Sequence, residues 1–116
     1  YTPPLSTPIF PPRLYPAGLG PEYAARGDLN NDGVSDFVVS NNADGTLSIL
    51  LGEGDGQFSP QIVVTGIGAG PLGFTLDDYD GDGNMDAAVA LEDNASIVIL
   101  YGDGTGALGD GDNARI

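Results

Sequence analysis

Apolar residues along this chain fall in short, β-branched runs bounded by turn formers, and no stretch of ten residues keeps a helical period. The clearest runs are Phe37-Val38-Val39, Leu47-Ser48-Ile49-Leu50-Leu51, Ile62-Val63-Val64-Thr65, Ala87-Ala88-Val89-Ala90-Leu91 and Ile97-Val98-Ile99-Leu100-Tyr101. Each is predicted to be a strand. Ala43-Asp44-Gly45-Thr46 and Asp93-Asn94-Ala95-Ser96 lie between paired runs and are predicted to be hairpin turns. Near-continuous apolar runs such as Ile97 to Leu100 predict strands covered on both faces.

The pattern repeats with a spacing of 50 residues. Gly20-Pro21 recurs as Gly70-Pro71, Asp28 to Asp36 (DLNNDGVSD) as Asp78 to Asp86 (DYDGDGNMD), and Gly52-Glu53-Gly54 as Gly102-Asp103-Gly104. A period of this length belongs to propeller blades and related arrays, in which one unit cannot bury its own faces and stacks on its neighbours. Seven of the nine prolines precede residue 22, so the chain divides into a Pro-rich extended arm over 1–21, a first repeat over 22–66 and a second over 67–116. An arm of this composition favours polyproline II and serves as a linker or as an edge partner for another sheet.

Composition narrows the chemistry. Seventeen acidic residues against three arginines give a formal charge of −14, which excludes electrostatic binding to nucleic acid or to anionic lipid. Cysteine, histidine and lysine are absent, and with them disulfides, thiolate and imidazole catalysis, Schiff bases and the usual zinc sites. No apolar run approaches the roughly 18 residues of a helical membrane span, so no membrane insertion is expected. No charged segment followed by an apolar one marks a leader, and export has to be argued from other features. With no disulfide and a small core, some other staple is expected to help hold the fold.

The two acidic loops supply a candidate. Both read D-x-[DN]-x-D-G-x-x-D. Asp28, Asn30 and Asp32 in the first, with Asp78, Asp80 and Asp82 in the second, can turn oxygens inward from positions one, three and five of a tight loop. Gly33 and Gly83 permit the turn, Val34 and Asn84 offer their carbonyls at position seven, and Asp36 and Asp86 close the shell. Such hard oxygen donors fit calcium, one ion per loop, and carboxylates packed this densely would otherwise repel. An EF-hand or dockerin loop begins the same way but leads into a helix, and an EF-hand needs an acidic residue at position twelve. Here that position is Val39 or Val89, each inside an apolar run.

These residues carry a resemblance. The stretches from Arg26 to Val39 and from Leu76 to Val89, with Leu50 to Phe58 and Leu100 to Leu108, resemble FG-GAP/VCBS repeats, the calcium-loop blades of integrin-α-type β-propellers. The resemblance covers about residues 20–108. It implies an all-β fold of two tandem four-stranded blades, with calcium in the loop between the first two strands of each. Residues 28, 30, 32 and 36, and 78, 80, 82 and 86, are carried over as side-chain ligands. It implies no single activity.

A closed propeller needs at least four blades and this chain holds two. A strand, Gln61 to Thr65, follows Phe58 in the first repeat, whereas only Gly-Asp-Gly-Asp-Asn-Ala-Arg-Ile follows Leu108 in the second. Ile9 to Pro16 of the arm occupies the place before Gly20-Pro21 that Phe58 to Gly66 occupies before Gly70-Pro71. The expectation is that the arm of one copy adds to the open edge of another, giving a ring or a filament. The chain is accordingly expected to be an extracellular or cell-surface structural protein, with copies of itself as partners and no enzymatic activity. Seven of its acidic residues lie at ligand positions, and two small blades form no deep cleft for a carboxylate pair. The alternative is a fragment of a larger adhesive or glycan-binding propeller, with glycan as partner. Asn94-Ala95-Ser96 is an N-x-S sequon and Asn94 a glycosylation candidate. Asp55, Asp103, Asp110 and Asp112 are expected to be turn formers, and the tyrosines to pack between blades.

Overall fold

The computed structural model describes residues 12–93 and 95–109. Asn94, most of the arm, Asp110 and Asp112 lie outside the described residues. Among the described residues, seven strands form two antiparallel sheets: β1 (Pro21–Gly27), β2 (Asp36–Asn41), β3 (Thr46–Leu50) and β4 (Ile62–Val64) in the first, β5 (Pro71–Asp77), β6 (Asp86–Leu91) and β7 (Ser96–Leu100) in the second. The described residues contain no helix, hence none long and apolar enough to cross a membrane.

Five strands coincide with the apolar runs to within a residue or two. β1 and β5 do not announce themselves in that way. Pro-Glu-Tyr-Ala-Ala-Arg-Gly has no apolar run, and β1 is mostly exposed. Its strand conformation comes from pairing with β2, through a register shift between Pro21 and Tyr23 that β5 repeats between Pro71 and Phe74.

The second sheet has three strands among the described residues, not the four expected of a blade. In the first repeat an isolated bridge between Gly52 and Phe58 turns the chain back, and Ile62–Val64 then pairs with Leu47–Ile49. The matching bridge between Gly102 and Leu108 leaves one further described residue, and positions 112–114, which correspond to Ile62–Val64, lie outside the described residues.

Alternation puts Val38, Leu47 and Ile49 on one face of the first sheet, and all three are fully buried. They share one core with Phe74, Ala87, Val89, Leu91 and Leu100 of the second sheet, while β5 lies against β1 and β2. One face of each sheet thus makes the core between them. The outward face of the second sheet carries Ala88, Ala90 and Ile97, the counterparts of Val38, Ser40 and Leu47. Ile97 is 70 % exposed where Leu47 is 0 % exposed, so β7 is covered on one face only, contrary to the reading of its apolar run.

The other face of the first sheet is closed by polar contacts. Asn41 Nδ2 donates to Ser48 Oγ (2.9 Å), Ser48 Oγ donates to Gln61 Oε1 (2.6 Å), and Gly18 N donates to Asn41 Oδ1 (3.1 Å). Tyr15 packs edge-on against Phe58, centroids 5.5 Å apart, and accepts a hydrogen bond from Phe58 N (3.3 Å). The base of the arm is thereby held on its own repeat, with Leu14 almost fully exposed.

Candidate metal centre

Each acidic loop joins the first two strands of its sheet, and one hydrogen-bond scaffold builds both. Asp28 Oδ1 and Oδ2 accept from Asp32 N (3.2 Å) and Gly33 N (2.8 Å). Asp78 Oδ1 and Oδ2 accept from Asp82 N (3.2 Å) and Gly83 N (2.8 Å) in the same way. Asp32 Oδ1 accepts from Val34 N and Asp82 Oδ1 from Asn84 N, both at 2.9 Å. Gly33 and Gly83 sit at φ +81° and +87°, the left-handed turn for which position six needs glycine.

Asp36 and Asp86 are fully buried and tie each loop to its sheet. Asp36 accepts from Leu29 N and Gly52 N, Asp86 from Tyr79 N and Gly102 N, all at 2.8 Å. These aspartates are therefore structural anchors as well as candidate ligands, since a carboxylate oxygen that accepts one N–H keeps a second lone pair. Gly52 and Gly102 are parts of the site that the ligand pattern does not include. Their signal is the same separation from the anchoring aspartate in both repeats.

In the second loop, one carboxylate oxygen from each of Asp78, Asp80, Asp82 and Asp86 lies within 4.8 Å of the others. Oxygens that each sit 2.3–2.6 Å from one calcium ion can be at most about 5 Å apart, so this group has the dimensions of a calcium shell. In the first loop Asn30 replaces the second aspartate, and its Oδ1 is buried with no hydrogen-bond partner. A buried carbonyl oxygen without a donor is costly, and a cation satisfies it. The second donor set fits calcium in chemistry and spacing, whereas the first offers the same kinds of donor without its three aspartates being gathered as closely. The side chains at position seven have other uses: Val34 lies against Gly52 and Gly54, and Asn84 reaches Asp82 and Asn31.

The carboxyl of Asp80 is held above its ordinary value of 3.8, first by loss of solvation and then by its side-chain hydrogen bond with Asp82, with the charges of Asp82 and Asp86 adding to this and the Asp82 amide pulling the other way. A raised pKa means that the folded state prefers the protonated group. That stabilisation is complete below the ordinary value and is lost as pH rises through the raised one. Asp80→Asn is therefore expected to raise the melting temperature at pH 7 in chelator, where it removes a repelled charge. In calcium, where it removes a charged ligand, the same change should lower melting. Scanning fluorimetry in the two buffers checks this crossing, and a shift of the same sign in both contradicts it.

The expected turn formers behave as such where they are described. Asp55 Oδ1 accepts from Gln57 N (3.0 Å), and Asp103 Oδ1 accepts from Thr105 N (2.9 Å) and Thr105 Oγ1 (2.6 Å). The Thr105 hydroxyl, then its amide, lowers the pKa of Asp103. Tyr23 packs edge-on against Phe74, while Tyr79, at position two of the second loop, is 44 % exposed where its counterpart Leu29 is 2 % exposed.

Two stacked antiparallel sheets with acidic loops between their first two strands define a tandem repeat of the blade type. The FG-GAP-like repeat family matches residues 28–89, more than half of the 116 residues, and the chain belongs to that family. No solved structure matches it.

Proposed function

We propose that this is an extracellular or cell-surface structural protein, stapled by two calcium ions, whose copies associate head to tail through the N-terminal arm. The observation that carries the association is the outer edge of β7, which no strand covers among the described residues. It repeats β3 in its register with the neighbouring strand, yet no described strand stands where β4 pairs with β3. Such an edge beside exposed Ile97 is a template for an added strand. The arm supplies one of the right kind, with Ile9 and Phe10 ahead of Leu14. Because the donated segment and the accepting edge are different surfaces, the contact is heterologous and gives a ring or a filament.

The calcium reading rests on the family, the four gathered carboxylates and the orphaned Asn30 Oδ1. Two ions would take the formal charge from −14 to −10 and order loops whose carboxylates otherwise repel. Millimolar extracellular calcium fills even sites with dissociation constants of about 0.1–1 mM, which cytosolic calcium would leave empty. A structural rather than catalytic role follows from the same assignment, because the clustered acids are occupied as ligands and anchors.

Light scattering and negative-stain microscopy in 2 mM calcium, a concentration above that affinity range, then in excess chelator, test the proposal. Filaments or uniform rings are expected in calcium, and a chain lacking residues 1–11 should bind calcium without assembling. Assemblies that persist without those residues would refute strand donation. A monomer in both buffers would refute self-association and favour the alternative, a piece of an adhesive or glycan-binding propeller.

A further inference from the structure

The two acidic loops touch. Asn31 Nδ2 donates to Asn84 Oδ1 at 2.9 Å across 53 residues of sequence. Asn84 Nδ2 in turn donates to Asp82 Oδ2 at 3.2 Å. Asn31 stands between the candidate ligands Asn30 and Asp32 of the first loop, and Asp82 is a candidate ligand of the second. An unbroken path of one backbone segment, two amides and one carboxylate therefore joins the two donor sets.

The surroundings are shaped for this path. Asn31 has φ +59°, a left-handed conformation that asparagine tolerates better than most residues. Gly104 lies over the amide pair, and a Cβ there would come 2.6 Å from Asn84 Oδ1 and 3.0 Å from Asn31 Nδ2. The equivalent positions are Gly81 for Asn31 and Val34 for Asn84, neither of which has a side-chain amide. The bridge thus belongs to the contact between two successive repeats, position four of one loop meeting position seven of the next.

We infer that the amide bridge couples the two loops, so that calcium in one raises the affinity of the other. An ion on Asp82 fixes the carboxylate that orients Asn84, and Asn84 then holds Asn31 and the loop segment carrying Asn30 and Asp32. Ordering that segment beforehand removes part of the entropy cost of the second ion. Reciprocity requires the same gain in the opposite direction. One hydrogen bond of ordinary net worth corresponds to a gain of about fivefold.

The inference rests on the calcium reading, and calorimetric titration of the full chain with calcium separates the two. Loop-two affinity is measured with loop one intact and with loop one disabled by Asp28→Asn and Asp32→Asn. It is expected to be about fivefold tighter with loop one intact. Asn31→Gly, which keeps the left-handed backbone and copies Gly81, should remove the difference. Asn84→Val, which copies Val34, should do the same. A loop-two affinity indifferent to loop one in the unsubstituted chain overturns the coupling while leaving calcium binding in place. So does a fivefold difference that survives both substitutions. Absence of calcium binding at either loop overturns the calcium reading itself, and the coupling with it.

Discussion

Asp86→Ala is expected to cost the chain about 4 kcal/mol of stability in chelator, and more in calcium, where it also removes a candidate ligand. The carboxylate is fully buried and accepts Tyr79 N and Gly102 N at 2.8 Å each. Hydrogen bonds to a charged group contribute about 1.5–3 kcal/mol each, and truncation leaves two amides with no acceptor. Asp86→Asn keeps one acceptor oxygen and should cost roughly half as much. Asp78→Ala provides the contrast. Its bonds lie inside an exposed loop, so its chelator melt should shift by no more than about 1 kcal/mol while calcium-dependent stabilisation is reduced. Urea melts of the three variants in the two buffers check the assignment. If Asp86→Ala melted like the unsubstituted chain in chelator, the aspartate would be a ligand only and not an anchor.

Gly102→Ala is expected to be comparably damaging, for a steric reason. A Cβ at this position would lie 2.0 Å from Met85 O, a backbone atom of the residue before Asp86. Relief requires the 102–108 turn to move away from the acidic loop, and that movement breaks the Gly102 N to Asp86 bond. The expected cost is about 3 kcal/mol or more. Gly54→Ala meets nothing closer than Val34 Cγ2 at 3.6 Å, so only its left-handed backbone (φ +86°) is strained, at about 1–2 kcal/mol. Because Gly102→Ala and Asp86→Ala break one shared bond, their double variant should cost clearly less than the sum of the singles. Additive losses in thermal or urea melts would show that the two residues act separately.

Strands with β-branched runs were legible because burial of one face forces apolar residues onto it, as in Val38, Leu47 and Ile49. β1 and β5 were not legible in that way. β1 is mostly exposed and carries little apolar signal, while the apolar residues of β5 are separated by Gly73 and Thr75 rather than forming a run, so pairing with β2 and β6 is what marks both as strands. The acidic loops could be read because side-chain oxygens at fixed short spacings must converge when a glycine turns the chain. The contact between the loops could not be read, since Asn31 and Asn84 lie far apart in sequence and only the stacking of one sheet on the other brings them together.

The covering of a strand is likewise a tertiary property. Ile97 and Leu47 occupy the same place in their repeats, and their sequences give no reason for one to be 70 % exposed and the other 0 % exposed. The difference is that a second sheet lies over Leu47 and none among the described residues lies over Ile97. By itself the sequence determined the repeat, the strands with one apolar face and the donor chemistry of each loop, because these follow from local spacing. Which face is buried, which candidate ligand also anchors its loop, and which loops touch were decided by the packing of the two sheets, because those contacts join residues that no local rule relates.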